Sequence, residues 1–167
     1  MKLQSWKASV VLAMTFVLVL SQLRGASAKA EDWDSDGKRL EGTWVVTVTL
    51  QNCATKAQIG NPFQSLLTFA RGGTMTETTS NSMFFPALRG PGHGVWKRTG
   101  QETYKASSLA FITLNGVLVK TQKISQVIEM EDDPDSFNTT EASVQFFDPS
   151  GNLLTTGCAV AKGKRFE

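Results

Sequence analysis

From Gly42 onward the chain repeats one pattern: apolar and polar residues alternate with a period of two, and turn residues interrupt the alternation at short intervals. In the first segment Trp44, Val46, Val48 and Leu50 alternate with Val45, Thr47, Thr49 and Gln51. This is the pattern of a strand with one buried face. Further segments follow at about 64–71, Thr74–Ser80, about 94–99, Thr103–Leu114, Val117–Met130, Ser136–Phe147 and Leu153–Phe166. The separators carry turn chemistry: Arg71-Gly72-Gly73, Thr99-Gly100-Gln101, Asn115-Gly116, Asp133-Pro134 and Pro149-Ser150-Gly151. A longer loop, 81–93, contains Met83, Phe84 and Phe85. No helical period follows residue 28, and parallel strands would need helical crossovers. An open meander would expose two edges, which closure removes. The sequence therefore predicts an all-β fold, an eight-stranded antiparallel up-and-down closed barrel, filled by side chains or by one small ligand. A two-sheet sandwich stays open as an alternative.

Cys53 and Cys158, the only two cysteines, flank this region. In an even-stranded meander the first and last strands run antiparallel and must pair to close the barrel. Placing Cys53 opposite Cys158 sets Val46 opposite Arg165 and Trp44 opposite Glu167, so both strands run their full length in register. A pair of cysteines in an oxidising compartment reads as a disulfide.

The compartment comes from residues 1–28. Lys2 and Lys7 precede an apolar run, Val10–Leu20, and Ala26-Ser27-Ala28 ends the segment. This is the layout of a secretory signal peptide cleaved after Ala28, and the run is too short to span a bilayer, which takes about 20 residues. The expected location is secreted or periplasmic, with no membrane attachment after cleavage. The leader holds three of the 17 basic residues and none of the 15 acidic ones, so the remaining chain is nearly balanced in charge. No positive surplus then points to nucleic acid or an anionic membrane. Residues 29–40 (KAEDWDSDGKRL) read as a flexible arm. The spaced acids in Asp32–Asp36 lack the distal glutamate of a calcium loop, because Thr43 stands there. Residues 41–167 form one domain, long enough to bury a real core.

Gly42-Thr43-Trp44, at the start of the first strand, resembles the Gly-x-Trp motif of the calycin barrels, which include the lipocalins. The resemblance covers 41–167 at the level of strand layout and extends to small secreted barrel proteins of bacteria. It implies that Trp44 closes the barrel base against a basic residue late in the last strand, for which Arg165 is the match. The chain departs from the lipocalin pattern in having no helix after the barrel and no Thr-Asp-Tyr-type motif. Allene-oxide-cyclase-like and dirigent barrels share the architecture.

Signals for catalysis are thin. His93 is the only histidine, and nothing marks the carboxylate and nucleophile that a triad would bring to it. Between two glycines, it is a candidate haem ligand of the kind found in nitrobindin-like barrels, set against the reading of an exposed loop histidine. No cofactor or metal motif is present. The acids Glu129, Glu131, Asp132, Asp133 and Asp135 read as a solvated hairpin tip. Asn138-Thr139-Thr140 is a glycosylation sequon.

The predicted inward face offers the richest chemistry. It comprises Trp44, Val46, Val48, Leu67, Phe69, Trp96, Ala142, Val144 and Phe146, and in the sixth segment Leu118, Gln122, Ile124, Gln126 and Ile128. Amides in an apolar row are costly unless hydrogen-bonded. A cavity with a polar ligand group or water would satisfy Gln122 and Gln126. Trp44, Val46, Phe69, Trp96, Gln122, Gln126 and Phe146 are accordingly the candidate ligand contacts, with Met83, Phe84 and Phe85 as a lid over one mouth. The expected function is binding of a small apolar or amphipathic molecule. Two other readings stay open: an interaction protein such as a barrel-type protease inhibitor acting through the arm 29–40, and a cyclase-like enzyme with Glu77 or Glu102 as an acid.

Overall fold

The computed structural model describes residues 39–166. The expected signal peptide and all but the last two residues of the expected arm lie outside that range. The strands are β1 (Gly42–Gln51), β2 (Gln58–Ala70), β3 (Thr74–Thr79), β4 (Leu88–Arg89), β5 (Gly92–Arg98), β6 (Thr103–Leu114), β7 (Val117–Met130), β8 (Ser136–Phe147) and β9 (Leu153–Arg165). Every pairing is antiparallel. The order β6-β5-β3-β2-β1-β9-β8-β7 closes through a β6–β7 pairing into an eight-stranded barrel. The two-residue β4 is the one addition. It pairs with β6 on the same side as β5, so β4 and β5 together act as one strand interrupted at Gly90-Pro91. Pro91 has no N–H to give to a ladder, and the interruption falls at this residue.

Local chemistry explains the other departures from regular pairing. At Asn115-Gly116 both residues have positive φ, 52° and 79°, as a tight two-residue hairpin requires. β2 starts at Gln58, earlier than the expected 64, although Gly60-Asn61-Pro62 carries turn chemistry. These three residues bulge out, so that Val48 faces Phe63 and Leu50 faces Ile59. Gly60, at φ 66°, supplies the kink.

One end of the barrel is a solid core. Leu40, Trp44, Phe69, Tyr104, Ile128 and Phe137 are each at most 1% exposed. The rings pack edge-on: Trp44 and Phe137 have centroids 5.0 Å apart, and Phe69 lies 6.0 Å from Trp96. Trp44 Nε1 donates to the Leu40 carbonyl at 2.9 Å, and Trp96 Nε1 donates to those of Ala70 and Thr74. Gly163 makes room for the Phe137 ring, which fills the space a side chain there would occupy.

The disulfide joins Cys53 to Cys158 across the barrel's closing seam, and a bond of this kind accords with an extracellular or periplasmic location. The register differs from the expected one by two residues. Trp44 faces Arg165, Val46 faces Gly163, and Gln51, not Cys53, faces Cys158. Cys53 lies beyond the end of β1, in a turn held by Asn52, whose side chain accepts from the amides of Ala54 and Thr55. The disulfide therefore reaches diagonally from turn to strand. A shift of two leaves every side chain on its expected face and carries Arg165 onto Trp44. Its guanidinium lies 4.3 Å from the ring centroid and donates to the carbonyls of Glu41 and Arg39, both at 2.7 Å.

The acidic β7–β8 turn clasps the last strand. Asp133 accepts from Lys164 Nζ at 2.9 Å, from Ser136 Oγ at 2.7 Å and from the Asp135 amide at 3.0 Å. Asp135 pairs with Arg165 at 2.6 Å. The hydrogen bond from Lys164, then those from Ser136 and the Asp135 amide, hold the Asp133 carboxyl well below its ordinary value of 3.8. A depressed carboxyl contributes stability above the ordinary value and loses it as pH falls through the depressed one. In an NMR pH titration, Lys164→Met is expected to move the Asp133 midpoint up towards 3.8; an unchanged midpoint would refute the clasp.

Candidate functional site: a cavity with a buried ion pair

Beyond the aromatic base the barrel holds a cavity of about 690 Å³. The alternation of each strand sets which residues face it. In β1, for example, Val46, Val48 and Leu50 line the space. Ile59, Asn81, Met83, Phe84 and Leu114 also line it.

Of the candidate ligand contacts, Val46, Gln122, Gln126 and Phe146 line this cavity. Trp44, Phe69 and Trp96 do not, which corrects the sequence expectation. They share the inward face but sit at the opposite end, where their rings consume the cross-section of the barrel. Leu118 is also displaced. A bulge on β7 sets Lys120 opposite Ile112 and Leu118 opposite Thr113, so Val119 faces the cavity and Leu118 is exposed. In the loop after β3, a 3-10 turn (Ser82–Phe84) is capped by Asn81. Phe84 packs 6.5 Å from Phe146, whereas Phe85 is 85% exposed and points away from the core.

His93 lies on the outer, exposed face of β5, away from the cavity. A haem ligated there would sit outside the barrel, and the exposed position agrees with the reading of an exposed histidine. Glu102 pairs with Arg39 at the closed end. No cluster of metal-ligating side chains exists among the described residues.

A buried ion pair also enters the cavity wall. Glu77 on β3 and Arg89 on β4 form an ion pair whose side chains are only 8% and 3% exposed. Arg89 Nε also donates to Gln122 Oε1 on β7, and Nη1 donates to the Gly90 carbonyl at 3.1 Å. Gly92, the β5 partner of Glu77, makes this placement feasible: a β-carbon there would lie 2.5 Å from Glu77 Oε1. A buried charge without a partner is very costly, whereas a paired and hydrogen-bonded one is tolerated. All three residues line the cavity.

Sequence reasoning marked Glu77 and Gln122 but left Arg89 in a loop. A signal was present. Met75, Glu77 and Thr79 share one parity, so an inward carboxylate was implied, and such a group demands a cation. Which cation could not be read, because Arg89 belongs to a two-residue strand with no alternation to display.

No protein-family model matches the chain, and no curated protein is similar to it. A solved structure of a redesigned β-barrel is similar at TM-score 0.44 and 16% identity, over 79% of this chain and 96% of that one.

Proposed function

We propose that the protein is a secreted, lipocalin-like carrier that holds a small apolar or amphipathic molecule inside its barrel. The observation that supports this reading is the cavity of about 690 Å³, which lies above a closed aromatic base and is lined mainly by aliphatic and aromatic side chains. Pockets that bind small organic molecules have volumes of about 300–1,000 Å³, apolar walls and a few convergent polar groups. Here those groups are Glu77, Arg89 and Gln122. The signal-peptide layout of residues 1–28, the disulfide and the Gly42-Thr43-Trp44 motif agree with a secreted barrel of this type.

The test uses the neutral apolar fluorophore N-phenyl-1-naphthylamine and purified protein. One saturable site per chain is expected. Ala142 lines the cavity and is only half-buried, so Ala142→Phe places a ring in the lumen. It is expected to weaken binding about tenfold or more, equivalent to about 1.4 kcal/mol, with an unchanged β-sheet circular dichroism spectrum. Absence of saturable binding to the wild-type chain would overturn the reading.

A further inference from the structure

The wall of the cavity carries hydrogen-bonding capacity that the protein does not use. Arg89 has five N–H donors, and its recorded partners are Gln122 Oε1, the Gly90 carbonyl and Glu77 Oε1. Two N–H groups therefore have no acceptor among the described residues. Glu77 Oε2 and the Gln122 amide NH2 likewise have no recorded protein partner. No fully enclosed side-chain nitrogen or oxygen among the described residues lacks a partner. Glu77 Oε2 and the Gln122 amide nitrogen therefore keep open surface, and both residues line the cavity.

The charge of this patch decides what it accepts. Arg89 and Glu77 neutralise each other. The remaining charged side chain of the lining is Lys120, which is exposed at the cavity's edge. A ligand carboxylate brought against Arg89 would leave one uncompensated negative charge in an apolar enclosure. Its attraction to the guanidinium would be opposed by the Glu77 carboxylate close by, and its dehydration costs several kcal/mol. A hydroxyl group carries no such cost. It can accept from the Gln122 amide and donate to Glu77 Oε2, which satisfies both sides of the patch.

Resting on the carrier reading above, we infer that the cavity selects apolar molecules with a neutral hydrogen-bonding end, such as an alcohol, over the carboxylate of the same chain length. Glu77 is the residue that sets this preference, by cancelling the charge of Arg89. Gly92 belongs to the same device, because its missing side chain gives the carboxylate its place.

The experiment is displacement of N-phenyl-1-naphthylamine by 1-decanol and by decanoate at pH 7.5, on the wild-type chain and on Glu77→Gln. The wild-type chain is expected to bind decanol about tenfold or more tighter than decanoate. Glu77→Gln keeps a hydrogen-bonding side chain but removes the charge, so Arg89 becomes an unneutralised cation. The decanol-to-decanoate ratio is then expected to fall by about tenfold or more, which is about 1.4 kcal/mol. If Glu77→Gln does not fold, the wild-type ratio decides alone. Equal or tighter binding of decanoate by the wild-type chain would overturn the inference while leaving the carrier reading in place. An unchanged ratio in a folded Glu77→Gln would overturn it too. A chain that binds neither the fluorophore nor decanol would overturn the carrier reading, and the selectivity with it.

Discussion

Trp44→Ala is expected to lower the unfolding free energy by about 4 kcal/mol, within the range of about 3–5 kcal/mol for loss of a buried large aromatic ring. Three contacts disappear together. The ring is wholly buried and packs edge-on against Phe137 at 5.0 Å. Its Nε1 hydrogen bond to the Leu40 carbonyl holds the segment that covers the barrel base. Its face also carries the Arg165 guanidinium at 4.3 Å. Small domains are stable by about 5–15 kcal/mol, so urea denaturation should show a much lower midpoint with a similar slope. Trp44→Phe keeps most of the packing and loses the donor, and is expected to cost about 1–2 kcal/mol. A Trp44→Ala loss below about 1 kcal/mol would mean that Leu40 and Phe137 collapse into the vacated space, and that the ring does not hold the base together.

Loss of the disulfide is expected to be at least as costly. Cys53 and Cys158 are separated by 105 residues. On the chain-entropy model, cross-linking a loop of that length stabilises by about 4–5 kcal/mol, chiefly by restricting the unfolded chain. Comparing the oxidised wild-type chain with Cys53→Ala/Cys158→Ala in urea measures this term. The bond spans the β1–β9 seam, where the two ends of the meander meet and sequence separation is greatest. Closure of that seam is the step with the largest entropy cost. Cys158 also lines the cavity, so the double variant is expected to weaken fluorophore binding in proportion to its loss of folded protein, and no further. A stability difference below about 1 kcal/mol would show that the β1–β9 ladder closes the barrel unaided.

Much of the fold was legible because the signals were local. Asn115-Gly116 specifies a hairpin through its own backbone preferences, and β6, β7 and β8 begin and end at the expected residues. Period-two alternation placed Val46, Leu67, Phe69 and Val144 inside, as found. Errors arose where one extra residue changes the count. The bulge at Gly60-Asn61-Pro62 concealed the first residues of β2, and the bulge opposite Ile112 turned Leu118 outwards. The cysteine register was misread by two because a disulfide constrains distance, not pairing: a turn residue diagonal to Cys158 meets the constraint as well as a directly opposed one.

Alternation and turn chemistry thus settled the class of fold, the face each strand presents, and the chance of a covalent seam between its ends. These properties depend on neighbours in sequence or on a single pair of residues. The position of each residue along the barrel axis depends on strand tilt and on the register of all eight strands together. The folded chain alone decided that Trp44, Phe69 and Trp96 pack into a solid base, while Val46, Gln122, Gln126 and Phe146 face open space. It alone brought Arg89, from a two-residue strand, to Glu77 and Gln122. A buried charge finds its partner through space, and linear order carries no record of that distance.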